Sequence, residues 1–339
     1  MHRSELTVDL GAIRRNAATL LRALGGAELW AVVKANGYGH GATDAARAVL
    51  AGGATALCVA TVPEALALRR ELPEPRILVL GPALASEVAQ AREARLELVV
   101  ADGEIPAGLP VHLKLDTGMG RYGLAELPEP PTQVVGLMTH LATADTDEAF
   151  AAEQVERFRA ATEPYGHLAR HVANSAAALR IPAARFDAAR CGIALYGLSP
   201  FGADPAADGL EPALRWESYL AQVKRLDPGE STGYGRHFVA QEPTWIGLVP
   251  VGYGDGFRRD MTGTEILVDG ERRRVVGTVS MDSFAVELDR ELPAGTPVVL
   301  LGDGILAEEH ARVAGTINYE IVCGVNSDPT RARRTVVDG

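Results

Sequence analysis

Residues 29–41 read Leu-Trp-Ala-Val-Val-Lys-Ala-Asn-Gly-Tyr-Gly-His-Gly. The continuous apolar run at 29–33 is typical of a strand that is buried on both faces. The run ends at Lys34, and the glycines that follow predict a turn before an alanine-rich helix. Lysine is rarely buried, and desolvation disfavours the charged form of an amine. The stretch therefore predicts a strand of a parallel sheet that ends on a nucleophilic lysine, able to form a Schiff base.

The scarcity of lysine supports this interpretation. A lysine at the end of a strand ordinarily extends along apolar surface to water. This chain has only three lysines, Lys34, Lys114 and Lys224, and arginine supplies the rest of its 33 basic residues. Arginine stays protonated and cannot replace lysine in amine chemistry. A lysine retained in such a chain indicates a chemical role.

The composition excludes several classes of function. The chain has 339 residues, enough for two domains, and a net charge of −11 without a basic block. Nucleic acid and anionic membranes are therefore not expected as partners. Its three cysteines, Cys58, Cys191 and Cys323, are widely spaced, which predicts neither a disulfide framework nor a metal site. Without a long apolar run or a signal-peptide pattern, we expect a cytoplasmic protein.

A strand–turn–helix pattern repeats through the first 200 residues. Strand-like runs lie at 30–33, 56–60, 77–80, 96–100, 111–115, 134–138, 169–172 and 190–195. Helical patterns lie between most of them, at 42–51, 63–72, 86–94, 147–162 and 175–181. Eight such strands predict an α/β fold, a closed (β/α)8 barrel of the TIM type over residues 1–212. Two crossovers, at 100–111 and 122–133, are too short for a full helix, so a doubly wound open sheet remains an alternative.

The pattern changes near residue 200. The segment 199–209 is rich in Pro, Gly and Asp and is typical of a linker. Short strand-like runs follow it, separated by turns such as Asp269-Gly270, and lie at 220–226, 245–251, 265–268, 275–279, 284–288 and 298–301. We therefore predict a second, C-terminal and mostly β domain over residues 213–339.

Polar side chains gather where the barrel strands are predicted to end, which is where barrels place their chemistry. Taken together, these residues predict a mouth that binds anions and carries an amine. They are Lys34, the run Lys114-Leu-Asp-Thr-Gly-Met-Gly-Arg121, His140, the run His171-Val-Ala-Asn-Ser175 and the run Arg190-Cys-Gly-Ile193.

These motifs resemble those of the alanine racemases, enzymes that use pyridoxal 5'-phosphate (PLP). The resemblance covers nearly the whole chain and includes the second domain. Its further blocks are His140-Leu-Ala-Thr-Ala-Asp145, Gly233-Tyr-Gly, Pro250-Val-Gly-Tyr-Gly-Asp-Gly256, Ser280-Met-Asp282 and Thr316-Ile-Asn-Tyr319. It implies a homodimer that interconverts L-alanine and D-alanine and supplies D-alanine for cell-wall peptidoglycan.

The resemblance also implies the catalytic roles. Lys34 would bind PLP and act as one acid/base at Cα. Tyr234 would be the other acid/base, contributed by the partner subunit on the opposite face, because a racemase must remove and return a proton on two faces. Arg190, oriented by His171, would face the pyridine nitrogen, and His140 would lie against the ring.

The resemblance assigns the remaining site residues to binding. The phosphate would be held by Tyr38, Ser175, Gly192, Ile193 and Tyr319. Arg121 would meet the substrate carboxylate, and Met281 would approach the same site from the other subunit. Lys114 matches a position that is carbamylated in relatives, where the added negative charge would position Arg121. Tyr253 would line the entrance.

Two features depart from the family pattern, namely the short crossovers and Thr278, which stands where many relatives have an arginine near the substrate entrance. Three other classes of protein share parts of the pattern. A PLP-binding barrel protein would lack the second domain, a PLP decarboxylase would place an acidic residue where Arg190 stands, and a lysine-dependent aldolase would need no phosphate site. A racemase that acts more broadly on small amino acids such as serine remains open.

Overall fold

The computed structural model describes residues 2–339, which form two compact units. One is Ala12–Glu211, and the other joins residues 2–11 to Pro212–Gly339. The chain starts with strand β1 (Glu5–Asp9) and helix α1 (Leu10–Leu24). Among the described residues, no helix is long and apolar enough to cross a membrane. The same residues contain no cluster of three or more His, Cys, Asp or Glu side chains able to hold a metal ion.

The Ala12–Glu211 unit is a closed barrel of eight parallel strands, in sequence order around the barrel. These are β2 (Glu28–Val32), β3 (Ala56–Val59), β4 (Arg76–Val79), β5 (Glu97–Val100), β6 (Val111–Lys114), β7 (Val134–Met138), β8 (Ala169–His171) and β9 (Ala188–Cys191). The segment α2 (Lys34–Tyr38) that follows β2 is a left-handed turn. The helices that follow it are α3 (Ala42–Ala51), α4 (Val62–Glu71), α5 (Val88–Glu93), α6 (Glu148–Thr162) and α7 (Ser175–Arg180). The barrel prediction is confirmed, and the open-sheet alternative is wrong.

The barrel closes because nearly all residues of its strands are buried, as expected for parallel strands covered on both faces. Residues 101–110 and 115–133, all of them described, form no helix, as the short crossovers predicted. The last strand is shorter than predicted. It ends at Cys191, and Ile193–Tyr196 is a 3-10 turn, because Gly192 leaves the extended conformation at φ −119° and ψ −88°.

The second unit is built around a nine-stranded sheet with the order β11-β14-β17-β16-β15-β18-β10-β1-β19 and a small sheet of β12 and β13. Its strands after β1 are β10 (Leu214–Tyr219), β11 (Gln222–Leu226), β12 (Ser231–Thr232), β13 (Phe238–Val239), β14 (Thr244–Val249), β15 (Glu265–Val268), β16 (Glu271–Val276), β17 (Phe284–Leu288), β18 (Pro297–Leu301) and β19 (Arg333–Val337). Two helices, α8 (Ala307–Ala314) and α9 (Asn318–Cys323), complete the unit.

The first strand belongs to this second unit, whereas the boundary drawn from the sequence placed it with the barrel. β1 pairs antiparallel with β10 and parallel with β19. Two alternate residues of β1 are buried, Leu6 and Val8, and the other three are half-buried. A strand with one covered face suits an antiparallel or mixed sheet, and it differs from the fully buried barrel strands. This difference in burial is the physical reason why β1 belongs with the second unit and not with the barrel.

Candidate active site

The turn after β2 presents Lys34 on a left-handed stretch of backbone. Residues 35–38 all have φ between 51° and 62°. This conformation costs a non-glycine residue roughly 1–2 kcal/mol, and three of the four residues are not glycine. Backbone hydrogen bonds from Gly37 to Val33 (2.9 Å) and from Gly41 to Asn36 (2.8 Å) hold the turn. It leaves Lys34 half-buried at the strand end.

Three residues expected at a phosphate come together beside this turn. The Tyr38 ring stacks on Tyr196, with 5.1 Å between ring centres. Its hydroxyl lies so close to Gly192 that a Cβ built there would be 2.4 Å from the oxygen. The Ser175 Oγ accepts a hydrogen bond from the Gly192 amide at 3.0 Å. Only glycine allows this close approach of the Tyr38 hydroxyl to the backbone, and buried Ile193 follows next in the chain.

Arg190 is a buried cation with uncharged acceptors. Its guanidinium donates to the carbonyl and the Nδ1 of His171 (2.6 and 2.9 Å), and to the carbonyls of Thr139 (2.8 Å) and Val172 (3.2 Å). Within residues 2–339, no carboxylate is hydrogen bonded to it. Burial lowers the pKa of Arg190 to about 10, so it remains charged near neutrality.

His140 shows that the cations of the mouth are close to one another. Burial, followed by the charges of Arg190, Arg121, Lys114 and Lys34, lowers the pKa of His140 to about 3. Its Nδ1 lies 3.3 Å from the Arg190 guanidinium and can only accept there, which is consistent with a neutral ring. The barrel mouth thus collects four cations around one neutral imidazole and favours an anionic ligand.

Arg190 and His171, paired as expected, begin a buried chain whose other members the sequence did not reveal. From His171, the chain continues through the Nε2 of that ring to the Nδ1 of His112 (2.9 Å) and from His112 Nε2 to Glu97 (2.9 Å). Arg76 donates two hydrogen bonds to Glu97 at 2.9 and 3.0 Å. A carboxylate only accepts, so each imidazole donates from Nε2 and accepts at Nδ1. This assignment makes His171 an acceptor for Arg190.

Glu97 is expected to stabilise the barrel in a pH-dependent way. Burial alone would raise the pKa of Glu97, but hydrogen bonds from His112 and Arg76 lower it to about 2. Because the folded pKa is depressed, the stabilisation is present above the unfolded value near 4.3 and is lost as the pH falls toward 2. We expect Glu97→Gln to lower the free energy of unfolding at pH 7 by about 2–3 kcal/mol.

Urea unfolding at pH 7 and at pH 3.5 tests this prediction, because the gap between wild type and variant should narrow at the lower pH. Glu71→Gln is the matched control. Glu71 forms an exposed ion pair with Arg47 at 3.3 Å, and such pairs contribute about 0–1 kcal/mol. A gap for Glu97→Gln that is equal at both pH values would contradict the prediction.

Lys114 and Arg121 lie at the two ends of one ordered loop. Lys114 is buried at the end of β6, whereas Arg121 is exposed. Between them, the Asp116 carboxylate accepts hydrogen bonds from the backbone amides of residues 118, 119 and 120 at 2.8–3.2 Å. Burial and the charges of Arg121 and Arg190 lower the pKa of Lys114 to about 8.

The second unit gathers Tyr234, Tyr253 and Met281 around the loop 277–282. Tyr234 opens a tight turn between two glycines, and its carbonyl accepts a hydrogen bond from the Thr278 hydroxyl at 2.9 Å. The amide of Tyr253 donates to the Ser280 carbonyl at 3.0 Å. Their exposed fractions are 72% for Tyr234, 43% for Tyr253 and 54% for Met281. Thr278, noted in the sequence as a departure, thus anchors the turn of Tyr234.

A buried carboxylate fixes the neighbouring loops of this unit. Asp255 is fully buried and receives two hydrogen bonds from Arg3, both 2.9 Å, and one from Arg331 at 3.0 Å. Arg331 also donates to Asp282 at 2.9 Å, next to Met281. Tyr319 is half-buried as the second residue of α9, which ends the set of site residues expected in this unit.

Comparisons with known proteins agree with this two-unit architecture. Family models described as "Alanine racemase, N-terminal domain" and "Alanine racemase, C-terminal domain" match residues 8–200 and 213–333. "Alanine racemase 1" of Bacillus subtilis is 41% identical over 94% of this chain and 90% of its own. "Alanine racemase" of Levilactobacillus brevis is 40% identical over 98% and 99%.

Solved structures agree as well. The biosynthetic alanine racemase from Pseudomonas aeruginosa superimposes with a TM-score of 0.91 at 38% identity, covering 99% of this chain and all of that one. The alanine racemase from E. faecalis gives a TM-score of 0.90 at 37% identity over 99% and 98%. With both family models matched and about 40% identity over nearly the full length, this chain belongs to the alanine racemase family.

Proposed function

We propose that this protein interconverts L-alanine and D-alanine with PLP as its cofactor, and that it supplies D-alanine for peptidoglycan. The enzyme is an isomerase of the alanine racemase family. The observation that carries the proposal is the barrel mouth. There, a buried arginine with uncharged partners and a half-buried lysine lie near a neutral histidine, and the hydroxyls of Tyr38 and Ser175 meet the backbone at Gly192. The cytoplasmic location stays a prediction from the sequence.

The residues present fit PLP. The hydroxyls of Tyr38 and Ser175, with the backbone at Gly192, form a cradle that a single Cβ would fill, and this suits a phosphate. We assign Ile193 and Tyr319 to the same phosphate by family resemblance. Lys34 would hold the aldehyde carbon through its amine, and the charge excess of the mouth would balance the anionic cofactor. When bound, PLP supplies an electron sink that acidifies the Cα proton of an attached amino acid.

Arg190 controls how strong that sink is. A guanidinium only donates hydrogen bonds, so a ring nitrogen placed against Arg190 must accept one and stays unprotonated. The chain through His171, His112 and Glu97 fixes the direction of the hydrogen bonds behind Arg190. Glu97 accepts from His112, His112 accepts from His171, and His171 accepts from Arg190, so Arg190 is a donor throughout. The arrangement would keep the sink weak and would favour return of the proton to Cα over transfer elsewhere.

Proton transfer at Cα would use two residues of this chain, Lys34 on one face and Tyr234 on the other. Lys34 lies in the barrel unit and Tyr234 in the second unit. We propose that Tyr234 acts at the Lys34 of a second copy in a homodimer with shared sites. The exposure of Tyr234, Tyr253 and Met281 supports this proposal, since exposed apolar groups gathered on one loop system are typical of an interaction surface.

The substrate is proposed to be alanine, because Tyr234 and Tyr319 would leave room only for a small side chain. The test is a racemisation assay with the purified enzyme, PLP and a panel of L-amino acids that includes serine. We expect conversion of L-alanine to be the fastest reaction. An enzyme that binds PLP yet exchanges no Cα hydrogen of alanine in D2O would contradict the proposal.

We also propose that Lys114 is carbamylated and that the carbamate positions Arg121. Carbamate formation needs a neutral amine, and a lowered pKa of about 8 makes that form common near neutrality. Because the neutral fraction grows as the pH rises through about 8, uptake of 13C-labelled CO2 at a fixed CO2 concentration should increase from pH 7 to pH 9. The carbamate carbon can be followed by NMR.

Two variants control this measurement. Lys114→Arg should abolish the 13C signal, whereas Lys224→Arg, which changes a residue on β11 of the other unit, should leave it intact. Crystals that show a bare ammonium at Lys114 in a CO2-containing buffer would contradict the prediction.

A further inference from the structure

We propose that Glu64 is a positioning residue for Lys34, and this inference rests on the function proposed above. Glu64 lies in the first turn of α4, and its carboxylate accepts hydrogen bonds on both oxygens. Oε1 accepts from the backbone amide of Ala35 at 2.8 Å. Oε2 accepts from the amides of Ala60 and Thr61 at 2.7 and 3.2 Å. One side chain thus joins the turn after β2 to the turn after β3.

The bond to Ala35 is placed where the left-handed turn begins. Ala35 is the first of the four residues with positive φ, and it directly follows Lys34. The end of the turn is held separately, because the Asn36 side-chain oxygen accepts from the Ala42 amide at 3.0 Å. A conformation that non-glycine residues avoid needs such ties to persist. Glu64 therefore helps to define the direction in which Lys34 and Tyr38 leave the backbone.

Capping of α4 explains only half of these contacts. In a capping box, the acidic side chain bonds the backbone amide of the N-cap residue, while the N-cap side chain bonds the amide of the acidic residue. Thr61 and Glu64 form this pair, with Thr61 Oγ1 accepting from the Glu64 amide at 3.3 Å. Capping occupies Oε2 and leaves Oε1 for a residue 29 positions earlier in the chain. The two oxygens therefore have separable roles.

Two variants separate these roles. Glu64→Ala removes both arms of the carboxylate. Thr61→Ala removes the hydroxyl arm of the capping box and leaves the bond to Ala35 in place. The first readout is the dissociation constant of the apoenzyme for PLP, measured by absorbance titration. The second is hydrogen–deuterium exchange of the apoenzyme in the peptide covering residues 34–41, which requires neither PLP nor activity.

We expect Glu64→Ala to weaken PLP binding at least tenfold and to speed exchange at 34–41 at least tenfold. Thr61→Ala should stay within twofold of wild type in both readouts. If Glu64→Ala does not fold, Glu64→Gln replaces it, with a threefold threshold, because an amide can offer its oxygen to only one side. The inference is overturned if the variant at Glu64 matches wild type in PLP affinity and in exchange at 34–41. It is also overturned if Thr61→Ala weakens PLP binding and speeds exchange as much as the variant at Glu64 does. Failure of the wild-type enzyme to bind PLP would instead refute the proposed function, and exchange would still decide the role of Glu64 in the turn.

Discussion

Replacing Lys34 by alanine is expected to abolish racemisation and the visible absorbance of bound PLP together. Lys34 is the half-buried lysine that follows β2. Its charge contributes to the lowered pKa of His140 in the same barrel mouth. It would serve both as the covalent anchor of the cofactor and as an acid/base, so two contributions disappear at once. An acid/base alone is worth about 10²–10⁴-fold; we therefore expect a loss of roughly 10⁴-fold or more.

The measurement combines activity with mapping of the modified lysine. Borohydride reduction of the wild-type enzyme, followed by mass spectrometry, should place PLP on Lys34. Lys224→Ala is the matched control, because Lys224 lies on β11 of the second unit. The Lys224→Ala enzyme should lose no more than about half of the wild-type activity. Recovery of reduced PLP on Lys114 or Lys224 in the wild-type enzyme would reject the assignment.

The barrel could be predicted because its strands obey a simple rule. Each is a short apolar run buried on both faces, and the spacing leaves room for crossovers. β10 was missed although it reads Leu-Arg-Trp-Glu-Ser-Tyr, an alternating pattern with Trp216 buried. Its polar residues resembled the linker before it. β19 was missed for a similar reason, since its residues 333–337 are mostly exposed.

The left-handed turn after β2 was only partly predictable. The glycines at 37, 39 and 41 indicate a turn, but no local preference explains positive φ at Ala35. The Ala35 amide donates a hydrogen bond to Glu64, which lies 29 positions away in the chain. A glutamate three residues after a threonine indicates a capping box, and nothing local indicates that its second oxygen reaches Ala35.

The chain behind Arg190 was hidden for another reason. His112 lies inside a buried strand, where a histidine is most often a satisfied core residue, and its partner Glu97 belongs to a different strand. Closure of the barrel brings the two together. Gly136 on β7 makes room for His112, because a Cβ at residue 136 would lie 2.2 Å from the His112 ring. The need for glycine at this position can be understood only once the structure shows that the two residues are neighbours.

Replacing Tyr234 by phenylalanine is expected to leave PLP binding intact and to slow racemisation by roughly 10²–10⁴-fold, the value of one acid/base. Phenylalanine keeps the ring and removes only the hydroxyl. The turn should survive, because the contact with Thr278 uses the backbone carbonyl of residue 234. Proton removal should slow most for L-alanine if Lys34 serves the D-enantiomer. A loss of PLP affinity equal to the loss of rate would contradict this role.

Mixing two inactive variants tests whether Tyr234 acts across the dimer. After subunit exchange between Lys34→Ala and Tyr234→Phe, each hybrid has one site with both defects and one with neither. Random pairing in a two-fold dimer makes half of the dimers hybrids, so about a quarter of wild-type activity should return. The control mixes Lys34→Ala with the double variant that carries both Lys34→Ala and Tyr234→Phe. No hybrid of this mixture contains Lys34, so no activity should return. Differently tagged subunits show whether hybrid dimers form. If hybrids form and activity still does not return, Tyr234 does not act in the site that contains the Lys34 of the other subunit.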